Sequence, residues 1–269
     1  KGTAVVTREQ WGADESYGWW EPDYRTPKKI VLHHTAGGDG GTDPMATIRG
    51  IYYWHAVVLG WGDIGYNYLI DPAGTVYEGR TGGDGAIGAH TYNSITDINY
   101  NIGSIGIALL GCYEDTAGAC ATVDTISTPM QEAVVDLIIK KTTEFDFDPA
   151  GNSSWFGTDW PNILSHRDLD YTYCPGSSIY ALLDNFRTTQ RRYQAMFADT
   201  DFAAPALTVQ YTNSGRKQWK QADVVLQVRV QETGERNRVA LAAAVSADTT
   251  VSLTTALTSL KLPGDYTIT

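Results

Sequence analysis

Apolar positions follow two rhythms in the first part of the chain. One is a continuous or every-second-residue pattern, the other a three- and four-residue spacing. The run KKIVLHHTAG, closed by Gly37 and Gly38, predicts a strand. In TDPMATIRGIYYWHAVVLGW, Met45, Ile48, Ile51 and Tyr52 share a helical face, with Thr42 or Asp43 as N-cap and Pro44 in the first turn. YNYLIDPAGTVYEGR predicts two strands joined at Asp71-Pro72-Ala73-Gly74. IGSIGIALLG is almost wholly apolar, as expected of a strand covered on both faces. STPMQEAVVDLIIKKTTEF carries a helical stripe behind a capping signal, Ser127 or Thr128 followed by Gln131 or Glu132. NILSHRDL reads as a short strand entering a loop, and PGSSIYALLDNFRTTQRRYQAMF as a helix to about Phe197. The stretch up to about residue 27 reads as a loop with aromatic anchors.

Strands alternating with helices, plus one hairpin, predict an α/β domain with a mixed β-sheet flanked by helices. Past about residue 200 only the two-residue rhythm remains: VVLQVRVQ alternates throughout, and LPGDYTIT is a turn leading into a strand. The expected organisation is therefore a domain over 1–199, a linker at Asp199–Ala204, and a small all-β, sandwich-like module over 205–269.

Charge narrows the classes of partner. With a net charge of -11 and no Lys/Arg run, the surface repels nucleic acid and anionic lipid. No apolar run approaches the roughly 20 residues that span a bilayer. The 8 Trp and 16 Tyr suit either a groove that stacks on sugars and peptides or ordinary core packing. Of the 3 cysteines, Cys112 and Cys120 flank the polar loop YEDTAGA, a layout that closes as a disulfide and implies an extracytoplasmic location, whether secreted, periplasmic or wall-associated. Cys174 is then left over.

The histidines are His33, His34, His55, His90 and His166. Adjacent residues on a strand face opposite ways, so only one of His33 and His34 can join a given site. His166 and Cys174 sit close enough in sequence for the loop between them to fold back. By spacing alone, two readings stay open: a pair of zinc ligands, or a core histidine near a buried thiol.

The blocks REQWGA, VLHHTAG, GWGDIGYNYLIDPAGTVYEGR, IGAH, SIGIALLG and SHRDLDYTYCPG occur in an order and spacing that resemble the peptidoglycan recognition protein / type 2 N-acetylmuramoyl-L-alanine amidase family, over roughly residues 7 to 195. The resemblance implies a mixed sheet with helices and Zn²⁺ at the floor of a long groove. It also implies hydrolysis of the amide between N-acetylmuramic acid and L-alanine in peptidoglycan. Position by position, it places His33, His166 and Cys174 on the metal, and leaves His34 to a structural role in the opposite layer. Tyr66 falls on a tyrosine near the metal, able to hydrogen-bond the attacking water or the oxyanion. Thr172 stands where relatives carry Lys or Thr and is expected to orient substrate. His90, Arg80 and His55 are expected substrate contacts, Arg80 toward a peptide-stem carboxylate. Glu78 is expected to be structural.

Relatives that only bind peptidoglycan typically lose the cysteine or the first histidine, and this chain keeps all three ligands. The alternative is a non-catalytic peptidoglycan-binding recognition protein. Many relatives follow the arginine with Gly-Trp, where this chain has Thr81-Gly82, and the usual clue to the stem diamino acid is lost. The C-terminal module vaguely resembles, through VQYTNSGRKQWK and LPGDYTIT, a whole or partial immunoglobulin-like domain of the kind that accompanies bacterial wall enzymes.

Overall fold

The computed structural model describes residues 5–188 throughout and, beyond them, the backbone of 200–203, 206–212, 225–229, 236–240, 246 and 250–256. The chain divides into two compact units, Thr3–Gln190 and a second that takes in Arg191–Thr269.

The first unit is built on a six-stranded sheet. Its strands are β1 (Val5–Val6), β2 (Lys29–His34), β3 (Tyr68–Ile70), β4 (Val76–Glu78), β5 (Ser104–Leu109) and, after two further strands, β8 (Ile163–Ser165). Their spatial order is β1-β4-β3-β5-β2-β8, with only the β3–β4 hairpin antiparallel. β2 and β5 are buried along their whole length, as their unbroken apolar runs require of strands with both faces covered.

One face packs against α3 (Thr128–Glu144), whose N-cap is Ser127: its hydroxyl accepts from the Met130 N–H. Ile30, Leu32, Ile105 and Ile107 meet Met130, Val134, Leu137 and Ile138 there. The other face is covered by α1 (Arg8–Trp11) and α2 (Pro44–Tyr53) through Trp11, Ile48, Tyr52 and Leu69. Asp43 caps α2 by accepting from the Ala46 N–H, with Pro44 at the first helical position.

Several local expectations shift. The predicted helix at 42–61 keeps its α geometry only to Tyr53 and then makes a π turn, Trp54–Val58. α1, placed by the sequence reading inside a loop, is closed by a reciprocal Thr7–Gln10 capping box. An antiparallel pair, β6 (Asn152–Trp155) and β7 (Thr158–Pro161), stands where no strand was expected. It is tied to β2 by the buried ammonium of Lys29, which donates to Ser153 O, Trp160 O and Asn162 Oδ1 at 2.9, 2.6 and 2.9 Å. The predicted loop after β8 is a one-turn helix, α4 (His166–Leu169), because Ser165 and Asp168 form a second capping box. The long final helix is broken into α5 (Ser177–Tyr180) and α6 (Leu183–Thr188), and the rest of that prediction lies outside the described residues.

In the second unit the described residues form β9 (Thr200–Ala203), β10 (Ala206–Thr212) and β13 (Thr250–Ala256) in one antiparallel sheet, and β11 (Val225–Arg229) paired with β12 (Arg236–Ala240). The expected linker at Asp199–Ala204 therefore contains a strand.

Candidate metal centre

β2 ends on His33 and His34, and the pleat sends them apart. His34 follows Ile30 and Leu32 into the α3 layer, where its Nδ1 accepts from the Tyr113 N–H at 3.2 Å. His33 takes the opposite face with Val31. Parallel pairing of β2 with β8 sets Leu32 beside Ser165, so the next residue of β2, His33, meets His166, the first residue of α4, with ring centroids 4.8 Å apart.

The chain then folds back, and its loop is clamped by the backbone. The Arg167 N–H donates to Cys174 O at 2.9 Å, and the Cys174 N–H donates to Thr172 Oγ1 at 3.1 Å. Cys174 Sγ arrives 3.4 Å from His33 Nδ1, across 141 residues of sequence. Ligand atoms of His33, His166 and Cys174 all lie within 4.8 Å of one another.

These residues fit a zinc ion. Tetrahedral nitrogen and sulfur ligands at their usual bond lengths stand roughly 3.3–3.8 Å apart, and the His33–Cys174 approach falls in that range. Burial holds both imidazoles below their ordinary value, for His33 well below and with help from the charges of His166 and His90, so they are neutral and carry free lone pairs. Burial pushes the Cys174 thiol up to about 12. A thiolate there needs a cation beside it. No carboxylate belongs to the cluster.

A cavity of about 340 Å³ opens beside the cluster, lined by Thr35, Thr47, Ile51, Trp54, His55 and Tyr66. Tyr66 joins the two, its ring 5.3 Å from that of His33 and 5.5 Å from that of His55. Burial and the neighbouring Cys174 raise its phenol, which stays protonated. His55 lies in the π turn and its Nδ1 accepts from the Gly65 N–H at 3.0 Å, so the remaining Nε2 carries the proton. Burial and Arg80 hold it down to about 4, hence neutral.

The structure does not bring Arg80 or His90 to this opening. Arg80, expected to meet a stem carboxylate, is 2% exposed, its guanidinium 3.7 Å over the Trp20 ring and donating to Ile64 O. The Trp20 ring covers it, and nothing in the VYEGR motif encodes that ring. His90 lies behind His33, 6% exposed. Glu78 accepts from the Arg8 N–H and is occupied structurally.

A brace missed by sequence reading is Glu114, 3% exposed. Its carboxylate accepts from the Arg167 guanidinium at 2.7 Å, the Ser177 N–H at 3.0 Å and the Thr116 N–H at 3.0 Å, while Arg167 also donates to Tyr173 O. It therefore grips both ends of the loop that carries Cys174. Burial raises its pKa, but hydrogen bonds from Thr116 and Arg167 outweigh that and bring it to about 2, against an ordinary 4.5. A depressed carboxylate contributes stability that is full above pH 4.5 and lost as pH falls toward 2. Glu114→Gln is expected to cost about 1–3 kcal/mol at pH 6. Its gap in thermal midpoint from the parent should close as pH is lowered to 2. A gap constant with pH refutes the assignment.

The sequence profile of the family described as N-acetylmuramoyl-L-alanine amidase matches residues 23–177. Peptidoglycan-recognition protein SC1a of Drosophila melanogaster is 31% identical over 182 residues, covering 67% of this chain and 84% of that protein. Among solved structures, Drosophila peptidoglycan recognition protein SD superposes with a TM-score of 0.53 at 26% identity, covering 68% of this chain and 94% of that one. A Drosophila PGRP-LB variant in complex with tracheal cytotoxin superposes with a TM-score of 0.52 at 26% identity, covering 68% and 96%. The mixed sheet and its flanking helices are thus the fold of these proteins, and the chain is a member of the peptidoglycan recognition protein / type 2 N-acetylmuramoyl-L-alanine amidase family.

Proposed function

We propose that the chain is a zinc-dependent N-acetylmuramoyl-L-alanine amidase, which hydrolyses the amide between the muramic acid lactyl group and L-alanine of peptidoglycan. The observation that carries this reading is the convergence of His33, His166 and Cys174 within 4.8 Å beside an open cavity. A family member known only for binding has no need to keep a complete donor set. The muropeptide substrate class follows from the relatives, one of which is held in complex with tracheal cytotoxin.

His33, His166 and Cys174 would hold the ion, which when bound supplies Lewis acidity toward the scissile carbonyl and a water. The chain's own groups do the rest. Tyr66 presents a protonated phenol in the lining of the cavity, placed to donate to the oxygen that gains charge as the carbonyl is attacked. His55, whose Nε2–H has no partner among the described residues, is a second donor on the cavity wall and can hold a substrate carbonyl. Thr172 accepts from the Cys174 N–H, which leaves its hydroxyl proton for substrate while its oxygen positions the ligand loop.

The disulfide between Cys112 and Cys120 supports an oxidising, extracytoplasmic setting. No helix among the described residues is long and apolar enough to cross a membrane.

Purified protein is expected to carry one zinc per chain and to release free stem peptides with an unblocked alanine amine from peptidoglycan of defined stem chemistry, read by mass spectrometry. A chelator should abolish turnover and added zinc restore it. Stoichiometric muropeptide binding that ignores the chelator, with no product, would replace the amidase reading with one of recognition alone.

A further inference from the structure

We propose that His90 is a positioning residue for His33: it accepts the hydrogen bond that fixes which ring nitrogen of His33 faces the metal. The inference rests on the zinc reading above and extends it to a residue outside the donor set.

His33 Nδ1 faces Cys174 Sγ, and its other nitrogen, Nε2, lies 3.0 Å from His90 Nδ1. A neutral imidazole that offers the Nδ1 lone pair to a cation carries its proton on Nε2. That proton is therefore donated to His90 Nδ1, and His90 in turn is protonated at Nε2. The acceptor on that side is Ser104 Oγ at 3.4 Å, and the Ser104 hydroxyl donates onward to Tyr100 O at 2.7 Å. Every bond in this chain runs in one direction and ends on a backbone carbonyl, so a single set of tautomers satisfies all of it. Both ring nitrogens of His90 are used, which leaves none for a substrate.

The position is built, not incidental. Asn101 Oδ1 accepts from both the His90 and Thr91 N–H groups, at 2.6 and 2.9 Å, and locks the backbone. The ring fills a slot walled by glycines. A Cβ on Gly106 would stand 2.4 Å from His90 Cδ2, and one on Gly88 2.5 Å from the same atom. Gly106 lies mid-strand in β5, where a glycine otherwise weakens the sheet, and the close approach of this ring accounts for it. The two imidazole planes stand at 80° to each other with ring centroids 4.9 Å apart, and the bond joins their facing nitrogens.

A partner on the non-ligating nitrogen of a metal-binding histidine typically contributes 10–100-fold in metal affinity. His90→Leu, which fills the slot without an acceptor, is expected to weaken zinc binding about 10–100-fold in competition with a chromophoric chelator. His90→Asn, whose Oδ1 can occupy the Nδ1 position, is expected to recover most of that loss. Cobalt in place of zinc should show an altered ligand-field spectrum in His90→Leu and a near-parental one in His90→Asn. If the leucine variant fails to fold, the comparison moves to His90→Asn against His90→Ala, with the same order expected. A parent that binds zinc one to one while His90→Leu, or His90→Ala in its place, binds it equally well overturns the positioning role and leaves the amidase reading intact. A parent that binds no zinc overturns both.

Discussion

Cys174→Ser is expected to give a folded protein that has lost its zinc and at least about 10³-fold in turnover. A serine hydroxyl is a poor zinc ligand at neutral pH, and two imidazoles alone do not make the three protein ligands a catalytic site requires. The fold should survive because the metal is not what closes it. Three apolar clusters cover both faces of the sheet, none of them includes Cys174, and the backbone bonds of its loop to Arg167 and Thr172 involve no sulfur. Circular dichroism, thermal unfolding and metal analysis on the variant decide the matter. A Cys174→Ser chain that unfolds makes the ion structural, as in small zinc-dependent domains. One that keeps turnover removes the ion from the chemistry.

What could be read in advance was whatever a local pattern determines. β2, β5 and α3 followed from apolar runs and caps, and the opposed faces of His33 and His34 from strand parity. The cluster of His33, His166 and Cys174 was legible through resemblance and not through spacing, since His33 and Cys174 are 141 residues apart and the β2–β8 register and the Glu114 brace bring them together. The family resemblance was what put His90 and Arg80 toward substrate. Their actual neighbours come from elsewhere: Gly106 and Ser104 of β5 for one, Trp20 of the N-terminal segment for the other. α1 was missed although its Thr7–Gln10 box is written in TREQ, because the tryptophans and polar residues around it drew the reading toward loop. Gly106, in the middle of the apolar run SIGIALLG, was the one local sign that something presses on that strand.

Tyr66→Phe separates binding from chemistry more sharply than any ligand change, because it removes one oxygen and leaves the ring. The ring's contacts with His33 and His55 are aromatic and survive, so zinc content and stability should match the parent within error. The phenol has no intramolecular hydrogen bond among the described side-chain bonds, and burial keeps it protonated, so its hydroxyl is free to donate to whatever enters the cavity. A donor aimed at an oxygen that becomes charged only as the amide carbonyl is attacked contributes far more to the transition state than to the bound substrate. The expected loss is therefore about 10²–10³-fold in kcat, or roughly 3–4 kcal/mol, with KM changed by no more than a few-fold. Were the loss to fall on KM, with kcat preserved, Tyr66 would be a substrate-binding residue. Turnover unchanged at saturating muropeptide would show that the oxyanion is stabilised without it, leaving the His55 Nε2–H as the donor on that wall to test next.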